Sequence, residues 1–428
     1  MAGWIFIPFL VALIAGIPIA FALGISASTF LVVWDKVPLT VIAQTFYTQV
    51  DKFVLLSIPF FILAGELMNR TGITVRLVKF AGLLTGRLRG GLAQANIGAS
   101  ILFAGLTGAG VSDTSAIGSI LIPSMVEDGF EPEYAAAVTA ASSVIGPIIP
   151  PSIIMVVFGS IMNISIGALF AAGFIPGILV GLALMVMAYI IGVKRNHPYN
   201  PDKVPFKQLV VGFKDAFLAL MMPTIIIGGI LSGLFTPTEA AAVAVVYALV
   251  VGGFIFKTLK WKDIPPALLK SATTTSILIL IVGFASVVSW GLSIERIPQA
   301  IAAFLINADL GRVEFLLLVN VLLLFMGMIM ETGANAILLG PILMPLAINL
   351  GIHPVHFALI MLVNLNIGLA TPPLGVCLFV ACPIAGVSMA KISRAIAPFI
   401  LMEVVALLII TFIPELVLVL PRLLGFVY

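Results

Sequence analysis

The stretch GPIIPPS at residues 146–152 places three prolines within seven residues, inside a long run of apolar side chains. A second stretch, GLATPPL at residues 368–374, repeats its glycine and two of its prolines at the same spacing, in the other half of the chain. Proline has no amide hydrogen and blocks the helical hydrogen bond one turn back. Each stretch is therefore predicted to interrupt a helix and to leave carbonyl oxygens without partners, which is costly wherever water is absent.

The composition indicates an all-α polytopic membrane protein. Of 428 residues, 61% are hydrophobic and 9% are charged, and the mean hydropathy is +1.25; a water-soluble fold cannot bury that much apolar surface. The first basic residue is Lys36, so the chain lacks the charged start of a cleavable signal peptide and the first span is expected to be retained. The only cysteines, Cys377 and Cys382, lie in an apolar run, which argues against disulfides or a zinc site.

The apolar stretches predict both crossings and re-entrant hairpins. They lie at about 5–32, 53–68, 92–126, 134–163, 167–193, 215–233, 238–256, 271–290, 314–350, 355–384 and 398–421. Two of them, 92–126 and 314–350, exceed the roughly 20 residues needed for one crossing. Each has a polar, glycine-rich centre, GLTGAGVSD (105–113) and METGANA (330–336), which predicts a hairpin tip.

The distribution of charge supports this topology. With a cytoplasmic N-terminus, two re-entrant hairpins and one crossing per remaining stretch, 16 of the 21 Lys and Arg residues fall on the cytoplasmic side and 5 fall outside. Such an excess is the positive-inside pattern. The net charge of +3 therefore reports membrane orientation, and no nucleic-acid partner is expected.

An internal repeat runs through both halves. The gapless shift that places Pro150 on Pro372 also pairs Phe103 with Phe325, Gly105 with Gly327, Gly118 with Gly340, Pro123 with Pro345, Gly129 with Gly351, Pro132 with Pro354 and Pro176 with Pro398. In the predicted topology the first hairpin opens from the cytoplasm and the second from outside, so the copies are inverted. Inverted repeats with two interrupted helices are typical of secondary transporters.

The two breaks suggest the ligands. Free carbonyls around residues 146–149 suit a desolvated sodium ion, whereas the half-helices that restart near Ser152 and Leu374 present amide hydrogens that suit a carboxylate. The hairpin tips are expected to complete the cation sites with Thr107, Gly108 and Ser112 in one half and with Glu331, Thr332 and Gly333 in the other.

These residues also carry a family resemblance. GLTGAGVSDTSAIGSILIPSM (105–125) with VIGPIIPPS (144–152), and METGANAILLGPILMPL (330–346) with NIGLATPPLG (366–375), resemble the large membrane subunit of tripartite ATP-independent periplasmic (TRAP) transporters, as does LSIPFFILAGELMNRTGI (56–73). The resemblance covers essentially the whole chain. It implies a sodium-driven elevator transporter, not an enzyme, in a bacterial or archaeal inner membrane. It also implies two partners, a small membrane subunit of about four helices and a soluble periplasmic binding protein that delivers an organic anion, such as a C4-dicarboxylate, sialic acid or another sugar acid.

Carried over residue by residue, the resemblance implies two or more sodium ions as the coupling ions and no organic cofactor. Sodium site 1 would use Thr107, Gly108, Ser112, Gly146, Ile149 and Pro151; sodium site 2 would use Glu331, Thr332, Gly333, Gly368, Thr371 and Pro373; the substrate would contact Ser112, Asp113, Ser142, Asn335, Asn364 and Asn366. The first tip departs from the Ser-Gly-Ser-like run expected of the family, because Ala109 offers no side-chain ligand.

The predicted division into scaffold and moving parts follows from the hairpins. Two moving parts, 92–163 and 314–384, hold a hairpin and a broken helix each; the scaffold is 1–91, 164–313 and 385–428. Two amphipathic arms would join them, 73–90 at the cytoplasmic surface, with Leu77, Phe80, Leu84 and Leu88 on one face, and 294–307 at the outer surface.

Several alternatives stay open at this stage. The breaks could be packing kinks, the arms could be surface anchors, Glu331 could cap a helix, and Asn364 and Asn366 could be interhelical hydrogen-bond partners. Asp113 could bind a cation, a substrate hydroxyl or a proton. A proton-coupled or binding-protein-independent anion carrier of the same superfamily is the nearest rival function. A channel or an intramembrane enzyme is disfavoured, because the two tips differ and no HExxH motif or paired aspartates occur.

Overall fold

The computed structural model describes residues 3–105, 108–199, 204–297, 299–300 and 311–427, and throughout these ranges the chain forms helices and turns without any β-strand. In chain order the described α-helices are α1 (Gly3–Ile14), α2 (Ile19–Trp34), α3 (Thr40–Val50), α4 (Ser57–Arg70), α5 (Ile73–Thr85), α6 (Gly91–Phe103), α7 (Gly110–Glu127), α8 (Pro132–Ser142), α9 (Ile153–Met162), α10 (Ile166–Lys194), α11 (Phe206–Leu231), α12 (Pro237–Val250), α13 (Ile264–Ile294), α14 (Arg312–Ile329), α15 (Thr332–Asn349), α16 (Pro354–Leu369), α17 (Val376–Ala385), α18 (Met389–Phe412) and α19 (Glu415–Leu423).

The helices confirm a multi-pass membrane protein. Within the described ranges, eight helical segments are long and apolar enough to cross a bilayer: Phe53–Arg70, Ile166–Lys194, Phe206–Leu231, Pro237–Ile255, Trp261–Ile294, Arg312–Ile329, Thr332–Asn349 and Met389–Phe412. Shorter apolar helices, among them α6, α9, α16 and α17, belong to the hairpins and broken helices. They are shorter than the roughly 20 residues that a separate crossing needs.

One predicted crossing is wrong. The stretch 5–32 forms two helices that fold back on each other, and the Ser26 hydroxyl donates a 2.6 Å hydrogen bond to the carbonyl oxygen of Ile5. In one continuous helix these residues would be about 30 Å apart. The turn between α1 and α2 contains Gly16, with a φ of +78°, and Pro18, which cannot donate to the preceding turn. The orientation of the N-terminus stays a prediction.

Each predicted hairpin corresponds to two successive helices, and the connections between them are shorter than the predicted tips. Hairpin 1 consists of α6 and α7 joined by residues 104–109, and hairpin 2 consists of α14 and α15 joined by residues 330–331. Residues 110–113 and 332–336, predicted as tip, already form the first turns of α7 and α15. The helices that follow, α8 and α16, both start with a proline, Pro132 and Pro354, at a position where the missing amide hydrogen costs nothing.

Each broken helix consists of two half-helices. The first, α8 and α9, is interrupted at residues 146–152, called the first break below; the second, α16 and α17, is interrupted at residues 370–375, called the second break. The peptide bonds Pro150–Pro151 and Pro372–Pro373 are cis. The predicted interruptions are therefore present in both halves.

The halves interlock through their second half-helices. Gly118 on α7 of the first half lies beside Ile384 of α17, so that a Cβ atom there would be 3.6 Å from the Ile384 Cδ1 atom. Gly340 on α15 of the second half lies beside α9, where a Cβ atom would be 2.7 Å from the Phe158 ring. Gly118 and Gly340 are repeat partners. In each half, a glycine at the same repeat position makes room for a helix of the other half. This exchange makes one compact unit of the hairpins and broken helices.

The arm predicted at 73–90 forms helix α5, which packs against α6 and α11. Its predicted apolar face is only partly buried, because Leu77 and Phe80 are buried whereas Leu84 and Leu88 are exposed. Most of the predicted outer arm at 294–307 lies outside the described residues.

Candidate cation and substrate site

The tip of hairpin 1 lies directly against the first break. Gly105 and Gly108 have φ angles of +82° and +61°, which residues with a side chain rarely adopt. A Cβ atom on Gly105 would lie 2.5 Å from the carbonyl oxygen of Pro150, and one on Gly108 would lie 3.1 Å from the amide nitrogen of Ile153. The two glycines thus let the tip backbone contact the break backbone. Thr107, another predicted ligand, lies outside the described residues.

Asp113 lies beside the same break. It is in the first turn of α7 and is fully buried. Its carboxylate is so close to Gly146 that a Cβ atom on this glycine would overlap the Oδ2 atom. Sequence reasoning assigned Asp113 to the substrate, yet its position beside a predicted sodium ligand favours the cation-binding role among the three left open. A buried carboxylate next to unpaired carbonyls attracts a cation.

The carbonyl oxygens of the first break are available as ligands. Among the described residues, no hydrogen bond is accepted by the carbonyl oxygens of residues 146–151. The Ile148 oxygen is directed at Gly173 of α10, where a Cβ atom would approach it to 2.5 Å. The Ile149 side chain packs on Gly177 of the same helix. Helix α9 then restarts with the Ser152 hydroxyl accepting from the amide of Met155 at 3.4 Å, as its role of N-cap requires.

The last turn of α16, just before the second break, is held against hairpin 2 by a side chain as well as by backbone. The hydroxyl of Thr332 lies 3.3 Å from the carbonyl oxygen of Leu365 and 3.1 Å from the Oδ1 atom of Asn366. Gly327 and Gly368 are in backbone contact, and a Cβ atom on Gly327 would lie 3.1 Å from the Gly368 Cα atom. Among the described residues, the carbonyl oxygens of residues 369–373 accept no hydrogen bond.

The other predicted ligands of sodium site 2 differ in accessibility. The carbonyl oxygen of Gly368 accepts from the Thr371 amide at 3.0 Å, and the Thr371 hydroxyl donates to the Ile367 carbonyl at 2.7 Å. Thr332, Gly333 and Thr371 are buried, whereas Glu331 and Pro373 are exposed. Glu331 is the residue just before α15, with both carboxylate oxygens within 3.5 Å of a Cβ position on Gly333. This position fits the capping alternative.

Asn335 is the repeat partner of Asp113, since the shift that pairs Pro150 with Pro372 also pairs these two positions. Its amide group donates to the carbonyl oxygens of Met326 and Met330 at 2.9 and 3.0 Å, which closes the tip of hairpin 2. Its Oδ1 atom is buried and has no hydrogen-bond partner among the described residues. One half therefore has a carboxylate where the other has a neutral amide.

Two of the predicted substrate contacts lie inside interhelical networks. The Ser142 hydroxyl donates to Asn96 Oδ1 at 3.0 Å and accepts from Ser100 at 2.9 Å. Its repeat partner Asn364 donates to the carbonyl and Oδ1 oxygens of Asn320 at 2.9 and 2.8 Å. Both side chains are fully buried. The bonds of Asn364 match the alternative that this residue is an interhelical hydrogen-bond partner.

Sequence reasoning missed three buried polar residues that lie in this unit or on a helix packed against it. Asn96 on α6 and Asn320 on α14 are the partners just described. Glu403 on α18 is fully buried, and neither carboxylate oxygen has a hydrogen-bond partner among the described residues. The sequence signal for Glu403 was a single carboxylate within the apolar stretch ILMEVVALL (400–408). An ionisable residue inside a membrane span destabilises the protein, so it is usually there for a functional reason.

The donor set fits a hard monovalent cation. No group of three His, Cys, Asp or Glu side chains close enough to hold a metal occurs in the described ranges. The available donors are instead carbonyl oxygens of both breaks, the Thr332 hydroxyl and the Asp113 carboxylate. Several neutral oxygens with at most one carboxylate suit sodium better than a transition metal.

Comparison with known proteins identifies the family. Residues 6–416 match the family described as tripartite ATP-independent periplasmic transporter, DctM component. The chain is 40% identical over 423 residues, 99% of each protein, to a sialic acid TRAP transporter large permease protein of Vibrio cholerae. The chain belongs to this family. Membership makes it a membrane permease component of a TRAP transporter rather than an enzyme.

Two further similarities extend this assignment. The chain is 39% identical to an isethionate TRAP transporter permease protein of Oleidesulfovibrio alaskensis, over 95% of this chain and 64% of that protein. The DctM-family chain thus spans less than two thirds of that relative. Among solved structures, the YdaH transporter of Alcanivorax borkumensis aligns with a TM-score of 0.59 over 87% of both chains at 15% identity, which shows a shared fold.

Proposed function

We propose that this chain is the sodium-coupled permease component that moves an organic anion across a bacterial inner membrane by an elevator mechanism. The observation that carries the proposal is the pair of breaks, related by the internal repeat, whose carbonyl oxygens accept no hydrogen bond among the described residues. The first break lies against the tip of hairpin 1, and the last turn of α16, just before the second break, lies against hairpin 2. Sodium held there would neutralise Asp113 in one half. Substrate carboxylate or sulfonate would then bind between the tips, beside the starts of α9 and α17.

Membership of the family supports the partners. A small membrane subunit and a soluble binding protein would complete the transporter. The isethionate relative is longer than this chain, which covers 64% of it, as expected if a second membrane component is fused to its permease. The named substrates of the two relatives, a sugar acid and a sulfonate, share a negative charge and little else. We therefore assign the substrate class, an organic anion, and no single compound.

The contacts favour a larger moving unit than the sequence suggested. Helices α10 and α18 fall within the predicted scaffold, yet both pack on the broken helices. On α10, Gly173 and Gly177 adjoin the first break. On α18, the Phe399 ring lies 5.8 Å from that of Tyr134, and the carbonyl oxygen of Ile410 lies 2.9 Å from the His356 Nε2 atom. We propose that α10 and α18 travel with the hairpins.

Sodium binding can be tested without knowing the substrate. The purified chain is heated in buffers that contain sodium or potassium at equal ionic strength, and the melting temperature is followed by intrinsic fluorescence. A ligand that binds only the folded state stabilises it by about 2.7 kcal/mol at 100 times its dissociation constant. A melting temperature that rises with sodium but not with potassium is expected. Equal melting temperatures in both salts would contradict the proposed sodium site.

Transport itself needs the assembled system. The chain is reconstituted in vesicles with its small subunit, and radiolabelled anion is supplied with the cognate binding protein under an inward sodium gradient. Uptake that persists at the same rate without sodium would overturn the coupling.

A proton-coupled carrier is the second candidate, and Glu403 is the observation that favours it. A fully buried carboxylate without a hydrogen-bond partner among the described residues is tolerated as a neutral acid or beside a bound cation. The Glu403→Gln variant keeps the shape and removes the titratable proton. If transport is coupled to sodium, sodium-driven uptake by Glu403→Gln is expected to stay close to that of the wild type. If transport is coupled to protons, the variant is expected to lose uptake driven by a pH gradient.

A further inference from the structure

Two crevices with polar side chains in their lining separate the scaffold from the hairpins. The inner crevice, about 340 Å³, lies between α7 of hairpin 1 and helices α4, α5 and α13; it is lined among others by Glu66, Asn69, Ser112, Ser115, Ser119 and Lys270. The outer crevice, about 540 Å³, lies between α15 of hairpin 2 and helices α3, α9 and α13; its lining includes Gln44, Thr48, Ser289, Ser293, Ile337 and Pro341.

The crevices are related by the internal repeat. Ile337 and Pro341 of the outer crevice are the repeat partners of Ser115 and Ser119 of the inner one. The same face of the second hairpin arm therefore lines a crevice in each half. The side chains on this face differ, because hydroxyls line it in hairpin 1 and apolar groups line it in hairpin 2.

The scaffold walls differ in charge as well. The described lining of the outer crevice carries amides and hydroxyls but no ionisable side chain. In the inner crevice, Lys270 forms an ion pair with Glu66, with 2.5 Å between the Nζ and Oε1 atoms. The Lys270 side chain is 59% exposed, whereas that of Glu66 is 11% exposed. Lys270 is therefore the more accessible member of the pair, and Glu66 is the more buried one.

The inner crevice begins at the predicted binding site. Ser112, Ser115 and Ser119 are spaced three and four residues apart, so they lie along one face of α7. Ser112 is next to Asp113 in the first turn of α7, and Ser119 is about 10 Å further along the helix. Hydroxyls donate hydrogen bonds to anions, and a partly exposed ammonium attracts them.

We propose that the inner crevice is the path on which the anionic substrate leaves the tip of hairpin 1, that Lys270 selects for negative charge on this path, and that Glu66 positions Lys270. This inference rests on the proposed function for the direction of transport, but the charge selection itself is a property of the crevice. The outer crevice has no equivalent cation in its described lining and serves as the internal control.

The charge of the crevice can be measured with thiol reagents of opposite sign. The native Cys377 is fully buried and Cys382 is partly exposed, so the background carries Cys382→Ser. A reporter is introduced as Ser115→Cys in the inner crevice or as Ser293→Cys in the outer one; both positions are exposed. Reaction rates are determined with sulfonatoethyl and trimethylammonioethyl methanethiosulfonate. The ratio of the anionic to the cationic rate reports the local potential.

The two partners of the ion pair are expected to shift this ratio in opposite directions. Lys270→Gln leaves Glu66 unpaired and lowers the ratio at Ser115→Cys roughly three- to fivefold, whereas Glu66→Gln raises it by a similar factor. Lys270→Arg keeps the charge and the wild-type ratio. At Ser293→Cys none of the three variants changes it.

Unchanged ratios at Ser115→Cys in both Lys270→Gln and Glu66→Gln would overturn the inference, as would equal changes at both reporters. Elution as a single peak on size exclusion is the check that each variant is folded. If Lys270→Gln does not fold, the ratio measured in Glu66→Gln still tests the inference. The reagent ratios do not depend on sodium or substrate. A result that contradicts sodium coupling can therefore be distinguished from one that contradicts charge selection in the inner crevice.

In the assembled transporter, Lys270→Gln is expected to lower the uptake of an anionic substrate at least severalfold, with Lys270→Arg close to the wild type. Wild-type uptake by Lys270→Gln would show that the substrate does not pass this cation.

Discussion

Gly146 and Asp113 are in direct contact across the first break, and the space for a Cβ atom on Gly146 is occupied by the Asp113 carboxylate. Both are fully enclosed by the unit that the hairpins and broken helices form. This contact leaves no room for an extra carbon atom on Gly146, and the proposed cation site depends on it.

Gly146→Ala is therefore expected to displace the carboxylate and to abolish stabilisation by sodium. Overpacking of this kind costs about 1–3 kcal/mol, so some loss of melting temperature in potassium is expected as well. Gly228→Ala on α11 is the matched control, because a Cβ atom there meets no atom within 4 Å. The measurement is the difference in melting temperature between sodium and potassium. A Gly146→Ala protein that still responds to sodium as the control does would contradict the assignment.

The repeat partners Asp113 and Asn335 are expected to respond differently when they are exchanged. Asp113→Asn is isosteric and removes the charge, so the fold is retained and the sodium response falls. Asn335→Asp places a carboxylate against the carbonyl oxygens of Met326 and Met330, which now face an acceptor instead of a donor. Each lost bond in a buried setting costs about 1–3 kcal/mol, so this variant is expected to be strongly destabilised. Thermal unfolding of both variants in potassium tests the contrast; equal stability would show that hairpin 2 does not depend on the amide.

Much of this arrangement follows from local chemistry in the sequence. Proline at positions 147, 150 and 151 predicts the first break because the loss of amide hydrogens needs no tertiary context, and the internal repeat predicts the second. The fold of 5–32 was not predictable from hydropathy, since an apolar stretch of suitable length is compatible with one helix or with two that pack together. The local signals were Gly16 and Pro18, which form the turn between the two helices.

The site was predictable in part for the same reason. Gly146 lies in the first break, and Gly108 and Thr332 lie in the hairpins that pack on the broken helices, because local backbone geometry places them there. Ser142 and Asn364 form hydrogen bonds with Asn96 and Asn320, which lie on other helices. Such long-range contacts cannot be predicted from the spacing of residues in the sequence. The pairing of Lys270 on α13 with Glu66 on α4 is of the same kind, because these helices are far apart in the chain.

Thr332 and Asn364 offer a test that separates a ligand from a packing contact. Thr332→Val removes the hydroxyl that faces Asn366 and the Leu365 carbonyl, and is expected to lower the apparent sodium affinity about tenfold or more with a small change in stability, because a lost ligand acts on the bound state. Asn364→Ala removes two hydrogen bonds to Asn320 and is expected to cost about 0.6–1.7 kcal/mol of stability, with sodium affinity unchanged. Sodium titrations of the melting temperature give both quantities. The reverse pattern would exchange the two roles.

The stability of the protein is expected to depend on pH through His197, which lies beyond the end of α10. The imidazole packs against the rings of Tyr134 and Phe130, at 4.6 and 4.7 Å between centroids, and is 5% exposed. Burial lowers the pKa of His197 below its usual value of 6.5; Arg195 lowers this pKa further, and Glu131, which forms an ion pair with Arg195, partly opposes the shift.

Because the folded state binds the proton less readily than the unfolded state, stability is complete above pH 6.5 and is lost as the pH falls below this value. Each pH unit through this range costs at most about 1.4 kcal/mol for one group. His197→Phe keeps an aromatic ring in the cluster and removes the titration. Melting temperatures of both proteins are measured between pH 7.5 and 5.5, and the wild type is expected to lose more than the variant over this interval. Parallel curves would show that His197 takes up its proton equally in the folded and unfolded chains.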